Sequence, residues 1–225
     1  MPYNYCLIMY NFENISINYD RITTIETLGM DMYWRNAMVK KIRLPKNSFI
    51  LDAGAGTGKL SNVLTSKFRD GRIYSIDISQ KMLDQIKNKR LIKLRADATE
   101  TDFPDNYFDL AASAFLIRPL NDKINNYFYE THRILKKQGF FIIMEIYEPD
   151  NPYFRFLFDF YLHKILRKIG DALTKTDAFS YFSESIREFY SPNQVSELLK
   201  KHGFRIINIR SFLSGSIVIH TSIKI

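Results

Sequence analysis

A chain of 225 residues that is 46% hydrophobic and 25% charged suits one globular domain with a modest appendage, and it can bury a sizeable core. Apolar runs stay short of the ~20 residues of a membrane span, and an N-terminus interrupted by Asn4, Asn11, Glu13 and Asn14, without a basic leader, argues against a secretory signal. The single cysteine, Cys6, excludes an intramolecular disulfide and points to a reducing, cytoplasmic setting, while the net charge of +8 is scattered enough to be a solvated surface rather than a nucleic-acid face.

In chain order, residues 1–48 carry no marked strand pattern. Asp20–Arg43 is compatible with helix: Trp34, Met38, Val39 and Ile42 recur near 3.6-residue spacing until Pro45 stops the run. This N-terminal helical segment either caps the mouth of a ligand site or packs on the sheet edge. From Phe49 strands and helices alternate, the mark of a parallel doubly wound sheet. Strands are expected at Phe49–Asp52, Ile73–Asp77, Ile92–Arg95, Phe108–Phe115 and Phe140–Ile146. Helices are expected near Lys59–Phe68, from an N-cap at Ser79 through Lys87, near Asp122–Leu135 and at Pro192–His202. The last apolar runs, Phe204–Ile209 and Ser216–Ile223, are joined so briefly that they must pair antiparallel. An aromatic insertion, residues 149–191, separates the fifth strand from the last helix. It contains Tyr153, Phe154, Phe156, Phe158, Phe160, Tyr161, Phe179, Tyr181, Phe182, Phe189 and Tyr190, and Pro152 opens a helix over 152–168.

Chemistry concentrates where the first strand meets the first helix of this alternation, at Asp52-Ala53-Gly54-Ala55-Gly56-Thr57-Gly58-Lys59. Glycine serves where φ is positive or the backbone must approach a ligand. The dinucleotide fingerprint is G-x-G-x-x-G. Here the third glycine comes one place early, and Asp52 precedes the first by two, where it would repel a pyrophosphate. A neutral or cationic ligand fits better. Ligands of open α/β sheets sit beyond the C-terminal strand ends, so Asp77, 19 residues after Gly58, can accept both hydroxyls of a ribose. Asp97 beside the small Ala98 can take an adenine amino group, and Ser113-Ala114-Phe115 ends the fourth strand where a reacting group would lie.

The glycine stretch resembles the first motif of the class I S-adenosylmethionine-dependent methyltransferases. The Asn/Asp-Pro-Pro-Tyr/Phe tetrapeptide of base N-methylating relatives is replaced by Ala114-Phe115-Leu116-Ile117-Arg118. The chain as a whole resembles the ubiquinone/menaquinone C-methyltransferases (UbiE/COQ5). Tyr19-Asp20 and Trp34 keep the spacing of that family's N-terminal signature, with Asp31 in place of its His and Thr23 in place of its Asn. Arg133-Ile134-Leu135-Lys136-Lys137-Gln138-Gly139 with Glu145 follows its second signature, without its Pro and first Gly. The family's Phe-Gly-Leu-Arg-Asn after strand four is Phe115-Leu116-Ile117-Arg118-Pro119 here.

This resemblance implies a Rossmann-like class I methyltransferase fold: a seven-stranded, mostly parallel doubly wound sheet with an antiparallel C-terminal strand, an N-terminal helical cap over 1–48 and a substrate-covering insertion. It implies S-adenosyl-L-methionine as cofactor. Carried over residue by residue, the cofactor contacts are Tyr19, Trp34, Asp52, Ala53, Gly54, Gly56, Thr57, Gly58, Asp77, Ile78, Met82, Asp97, Ala98, Ser113, Ala114 and Phe115. No metal is implied. The acceptor is expected to be a prenylated quinol or another hydrophobic small molecule, and the greasy insertion suits peripheral membrane contact. Arg118 stabilises a phenolate or orients a water, and Tyr19 and His163 are the other candidates for handling a proton. A non-catalytic S-adenosylmethionine-binding protein would keep the glycine turn without a usable acceptor pocket.

Overall fold

The computed structural model describes residues 19–161 and 185–225. The N-terminal segment supplies α1 (Tyr19–Glu26) and α2 (Asp31–Val39). The alternating region follows as β1 (Phe49–Ala53), α3 (Lys59–Lys67), β2 (Arg72–Asp77), α4 (Gln80–Asp84), β3 (Ile92–Arg95) and β4 (Phe108–Ala114). Next come α5 (Ile117–Leu120), α6 (Ile124–Ile134), β5 (Leu135–Ile146), α7 (Pro152–Phe160), α8 (Pro192–Lys201), β6 (Phe204–Phe212) and β7 (Ile217–Lys224). Cys6, His163, Phe179, Tyr181 and Phe182 lie outside the described residues, as do residues 162–168 of the expected helix over 152–168 and the middle of the insertion.

The strands form one seven-stranded sheet in the order β3-β2-β1-β4-β5-β7-β6. β1 through β5 are parallel, and β7 runs antiparallel between β5 and β6, as the short terminal connection required. Both faces are covered, which is why the central strands read as near-continuous apolar runs. One face packs Trp34, Met38, Leu60, Leu64, Ile50 and Met144 together; the other packs Leu51, Ala111, Tyr127, Phe128, Phe141 and Phe204. The apolar spacing noted in the N-terminal segment thus marks a buried face: Trp34, Met38, Val39 and Ile42 are all core residues.

Among the boundaries that differ from the sequence expectation, two have a clear local reason. α4 is capped by Ser79, whose Oγ accepts from Met82 N, but it ends at Asp84 rather than reaching Lys87. Ile86 is drawn beneath the glycine turn, and the helix tightens into three-residue bonds, Gln85 N to Met82 O and Ile86 N to Leu83 O. β5 starts at Leu135, which pairs with Phe108, and the ladder then shifts register before Phe140 joins Leu110. The intervening bulge puts exposed Gln138 at φ +64°, at the position where the resembling signature has its first glycine. A non-glycine residue there costs about 1–2 kcal/mol, part of which glycine returns through its freer unfolded chain. Gln138→Gly is therefore expected to stabilise the fold by about 0.5–1 kcal/mol in urea unfolding.

Candidate active site

The stretch after β1 forms a turn in which alternate residues are left-handed: Gly54, Gly56 and Gly58 have φ of +66°, +54° and +84°. Ala55 N donates to Ile76 O and Gly58 N to Ala55 O, so the turn folds over the end of β2. At Gly54 a side chain is blocked as well as strained, because a Cβ would lie 2.7 Å from Leu116 Cδ1. α3 starts directly after the turn, with Asn62 N donating to Gly58 O.

Asp77, at the end of β2, ties this turn down. Its Oδ2 accepts from Gly56 N and its Oδ1 from Ser79 N, both at 2.9 Å. Burial pushes its carboxyl up, against the pull of those N–H donors. Each oxygen keeps a second lone pair for a ligand hydroxyl. Ile78 follows it in the chain, and Met82 is buried in α4. One strand further, Asp97 Oδ1 accepts from Thr99 N and Thr99 Oγ1, leaving Oδ2 3.7 Å from Lys123 Nζ, with half-buried Ala98 beside it.

Beneath the turn, Asp52 is buried on the same face as α3. Ser61 Oγ donates to its Oδ2 at 2.5 Å and in turn meets Ser75 Oγ at 2.7 Å. Asp52 Oδ1 finds no partner among the described residues. Burial raises this carboxyl to about 7. A raised carboxyl adds stability in full below its unfolded value, near 4, and that stability is lost as pH rises through about 7. Asp52→Asn should therefore flatten the fall in urea midpoint that the cofactor-free wild type shows between about pH 4 and 8. A variant curve parallel to the wild type would contradict this.

The N-terminal helices are fastened to the same place. Thr57 Oγ1 donates to Asp20 Oδ1 at 2.6 Å, and Lys59 Nζ lies 3.0 Å from Asp31 Oδ2 and 3.7 Å from Asp20 Oδ1. Tyr19 opens α1, but its side chain lies outside what is described. Trp34 is sunk in the core with its indole N–H unpartnered among the described residues. Next to it Arg35, on α2, holds its guanidinium over the Phe115 ring, 5.3 Å from the centroid.

At the end of β4 the side chains diverge. Ser113 is buried on the Tyr127 face, away from Ala112 and Ala114, which face the cluster that includes Trp34. Phe115 takes φ +62°, an outlying value for an aromatic residue, held by its N–H bond to Met144 O at 2.8 Å. α5 then carries Arg118 inward. Its backbone N donates to Glu145 Oε2, its Nε lies 3.8 Å from Glu145 Oε1, and its Nη1 donates to Ser185 Oγ at 2.5 Å. Glu145 is fully buried on β5, and burial pushes its carboxyl up while Arg118 pulls it down.

The structure therefore gathers Asp52, Ala53, Gly54, Gly56, Thr57, Gly58, Asp77 and Ala114-Phe115 around adjoining strand ends. Asp97-Ala98 stands one strand out, and Ser113 faces the other side of the sheet. Sequence reasoning missed Arg35, Ser61 and the pairing of Arg118 with Glu145. Arg35 directly follows the signature Trp34, and Glu145 closes the second signature, so both had a signal. Two acids at neighbouring strand ends and an unspent carboxylate oxygen suit a cationic cofactor with an amino-acid end, and they disfavour a pyrophosphate.

The fold and the glycine turn define an S-adenosylmethionine-dependent methyltransferase of the Rossmann-like class. Among solved structures, the chain is similar to a methyltransferase of this type from Thermotoga maritima, with TM-score 0.69 and 18% identity over 97% of this chain and 100% of that one. It also aligns with phosphoethanolamine N-methyltransferase 2 of Haemonchus contortus in complex with S-adenosyl-L-methionine, at TM-score 0.64 and 17% identity over 85% of this chain, spanning 52% of that longer enzyme. The ubiE/COQ5 methyltransferase family matches residues 6–224, and the chain belongs to that family. Relatives include the ubiquinone/menaquinone biosynthesis C-methyltransferases UbiE of Rickettsia akari, 32% identical over 95% of this chain and 91% of the relative, and of Citrifermentans bemidjiense, 34% identical over 92% and 91%.

Among the described residues, no helix is long and apolar enough to cross a membrane, and no group of three or more His, Cys, Asp or Glu residues could hold a metal ion.

Proposed function

We propose that the protein C-methylates a quinone-like lipid of the demethylmenaquinone type. The observation that carries this reading is the retained Arg118, set beyond the end of β4 and backed by buried Glu145, in a chain about one-third identical to UbiE proteins along nearly its whole length.

S-adenosylmethionine, when bound, supplies an electrophilic methyl group on sulfur. The glycine turn and Asp77 would hold its adenosyl part, with Ile78 and Met82 available to the base and Asp97-Ala98 to the adenine edge. Asp52, Trp34, Tyr19 and Ala114-Phe115 would surround the methionyl part, with Ser113 turned to the other side of the sheet. A quinol ring carbon becomes nucleophilic as its neighbouring hydroxyl gives up a proton. The hydroxyl proton would go to solvent water, and the ring carbon, once methylated, would return its own proton through water to the phenolate oxygen, so that one proton is released overall. Arg118 is a poor base because guanidinium stays protonated. Its part is to steady the phenolate charge in a site shielded from water. Glu145 fixes that guanidinium in place, and fixed geometry is a large share of the rate gain in such a transfer.

α7 supports a greasy acceptor. Tyr153, Phe154, Phe156, Leu157 and Phe160 are exposed on it, while Phe158 and Tyr161 pack against the core, Tyr161 donating its hydroxyl to Ile25 O of α1. Residues 149–191 would then cover the substrate and touch a membrane surface from the cytoplasmic side. A second reading, methylation of another small molecule, draws on Leu116, which fills space over Gly54 where the family pattern has glycine.

Labelled methyl transfer to a demethylmenaquinone-type lipid separates the two readings. Transfer is expected with the wild type, with a loss of about 100-fold or more in Arg118→Ala at unchanged cofactor affinity. A folded, cofactor-binding protein that methylates no quinol contradicts the proposal.

A further inference from the structure

The chain returns from the insertion through residues 185–190, and this short strap crosses the carboxyl end of the sheet. Ile186 is 2% exposed within the cluster that holds Ile146 and Ile217, on the Trp34 face. Phe189, further along, packs against the opposite cluster, its ring 5.7 Å from that of Tyr147, which directly follows β5. The strap therefore passes from one face to the other beyond the end of β5. It is fastened on both sides. Arg187 Nη2 lies 2.9 Å from Asp159 Oδ1 on α7. Behind it, Ser191 and Gln194 form the capping box of α8, and Nε2 of buried His220 on β7 donates to Pro192 O at 3.1 Å. Ser185 opens the strap, and its Oγ accepts from Arg118 Nη1 at 2.5 Å. The same guanidinium has its Nε 3.8 Å from Glu145 Oε1, beyond hydrogen-bonding range. Attraction at that distance holds the charge in place but does little to direct a planar fork. A hydrogen bond at Nη1 does direct it.

We propose that Ser185 is a positioning residue for methyl transfer, an inference that rests on Arg118 as the group that steadies the phenolate. The Ser185 hydroxyl aims the Arg118 fork at the acceptor oxygen, and the strap ties that aim to α7 through Arg187 and Asp159. A hydroxyl suits the task better than an acid. Its bond from a cation is charge-assisted and so outlasts a neutral pair. It orients the guanidinium without cancelling its charge. Glu145 already supplies one buried carboxylate, and a second at the position of Ser185 would leave the site net negative and repel a phenolate. The wall that carries the exposed aromatic residues of α7 and the arginine that meets the acceptor oxygen are thus joined through one serine.

Methyl transfer from labelled S-adenosylmethionine to a demethylmenaquinone-type lipid is measured with the full chain as wild type, Ser185→Ala, Ser185→Thr, Arg118→Ala and the Ser185→Ala, Arg118→Ala double variant. Ser185→Ala should lower kcat about 10-fold while the KM for S-adenosylmethionine stays unchanged. Ser185→Thr keeps the hydroxyl and should recover most of that loss. In the Arg118→Ala background the serine substitution should cost nothing further, because the group it aims is gone. A second readout needs no acceptor. In protein with isotope-labelled arginine, the Nε–H resonance that vanishes in Arg118→Ala should be sharp in the wild type and Ser185→Thr, and broadened or shifted in Ser185→Ala. Wild-type kcat in Ser185→Ala overturns the proposal, as does an equal fold-loss with and without Arg118. A wild type that methylates no quinol overturns the acceptor reading alone. The arginine resonance then decides: unmoved in Ser185→Ala, it overturns the positioning role, and moved, it sustains it.

Discussion

Glu145→Ala is expected to destabilise the protein by about 3–5 kcal/mol, a large share of the stability of a typical domain. Glu145 is fully buried, its Oε1 accepts from Ile146 N, its Oε2 accepts from Arg118 N, and it is the counter-ion within 3.8 Å of the buried Arg118 guanidinium. Removing one partner of such a pair leaves the other's charge in a medium that cannot solvate it. Glu145→Gln keeps the shape and one acceptor and should be milder, about 1–2 kcal/mol in urea unfolding. If alanine and glutamine variants unfold at the wild-type midpoint, the pair is not structural in the way the distances indicate. Methyl transfer should fall in the glutamine variant as well, because a neutral neighbour no longer fixes the Arg118 fork.

Asp77→Ala is expected to weaken cofactor binding about 100-fold or more, with a smaller effect on folding of about 1–3 kcal/mol. Two effects add. The ribose hydroxyls would lose their carboxylate acceptor, and the N–H groups of Gly56 and Ser79 would lose the acceptor that holds the turn in its left-handed conformation. Asp77→Asn keeps one acceptor oxygen and should fall between. Titration calorimetry with S-adenosylhomocysteine measures the first effect and urea unfolding the second. A variant that loses stability but binds as the wild type would confine Asp77 to bracing the turn.

Much of this was legible before any coordinates. Local backbone demands write themselves into residue type: the alternating glycines at 54, 56 and 58 are the positive-φ positions, Ser79 caps its helix, and Pro192 opens α8 behind the Ser191–Gln194 capping box. The alternation of strands and helices pointed to a parallel doubly wound sheet, and the short turn at Ser214-Gly215 pointed to antiparallel pairing of the last two strands, as found. What escaped were pairings between distant residues. The hydrogen bond from Ser61 to Asp52 joins a helix to a strand across a buried face, and Arg118 meets Glu145 across a separation of 27 residues. No periodicity marks such contacts. The bulge at Gln138 escaped for the opposite reason, since a residue that tolerates the left-handed region only at a cost stands where glycine would have announced it.

The ends of β1, β2 and β4 are the proposed seat of the cofactor. A crystal structure of the protein soaked with S-adenosylmethionine tests this most directly. Density is expected for the adenosyl group across the Gly54–Gly58 turn, with both ribose hydroxyls on the Asp77 carboxylate and the methyl group facing the Phe115–Arg118 side. A saturated crystal with that cleft empty, or with the ligand bound clear of Asp77, would contradict it.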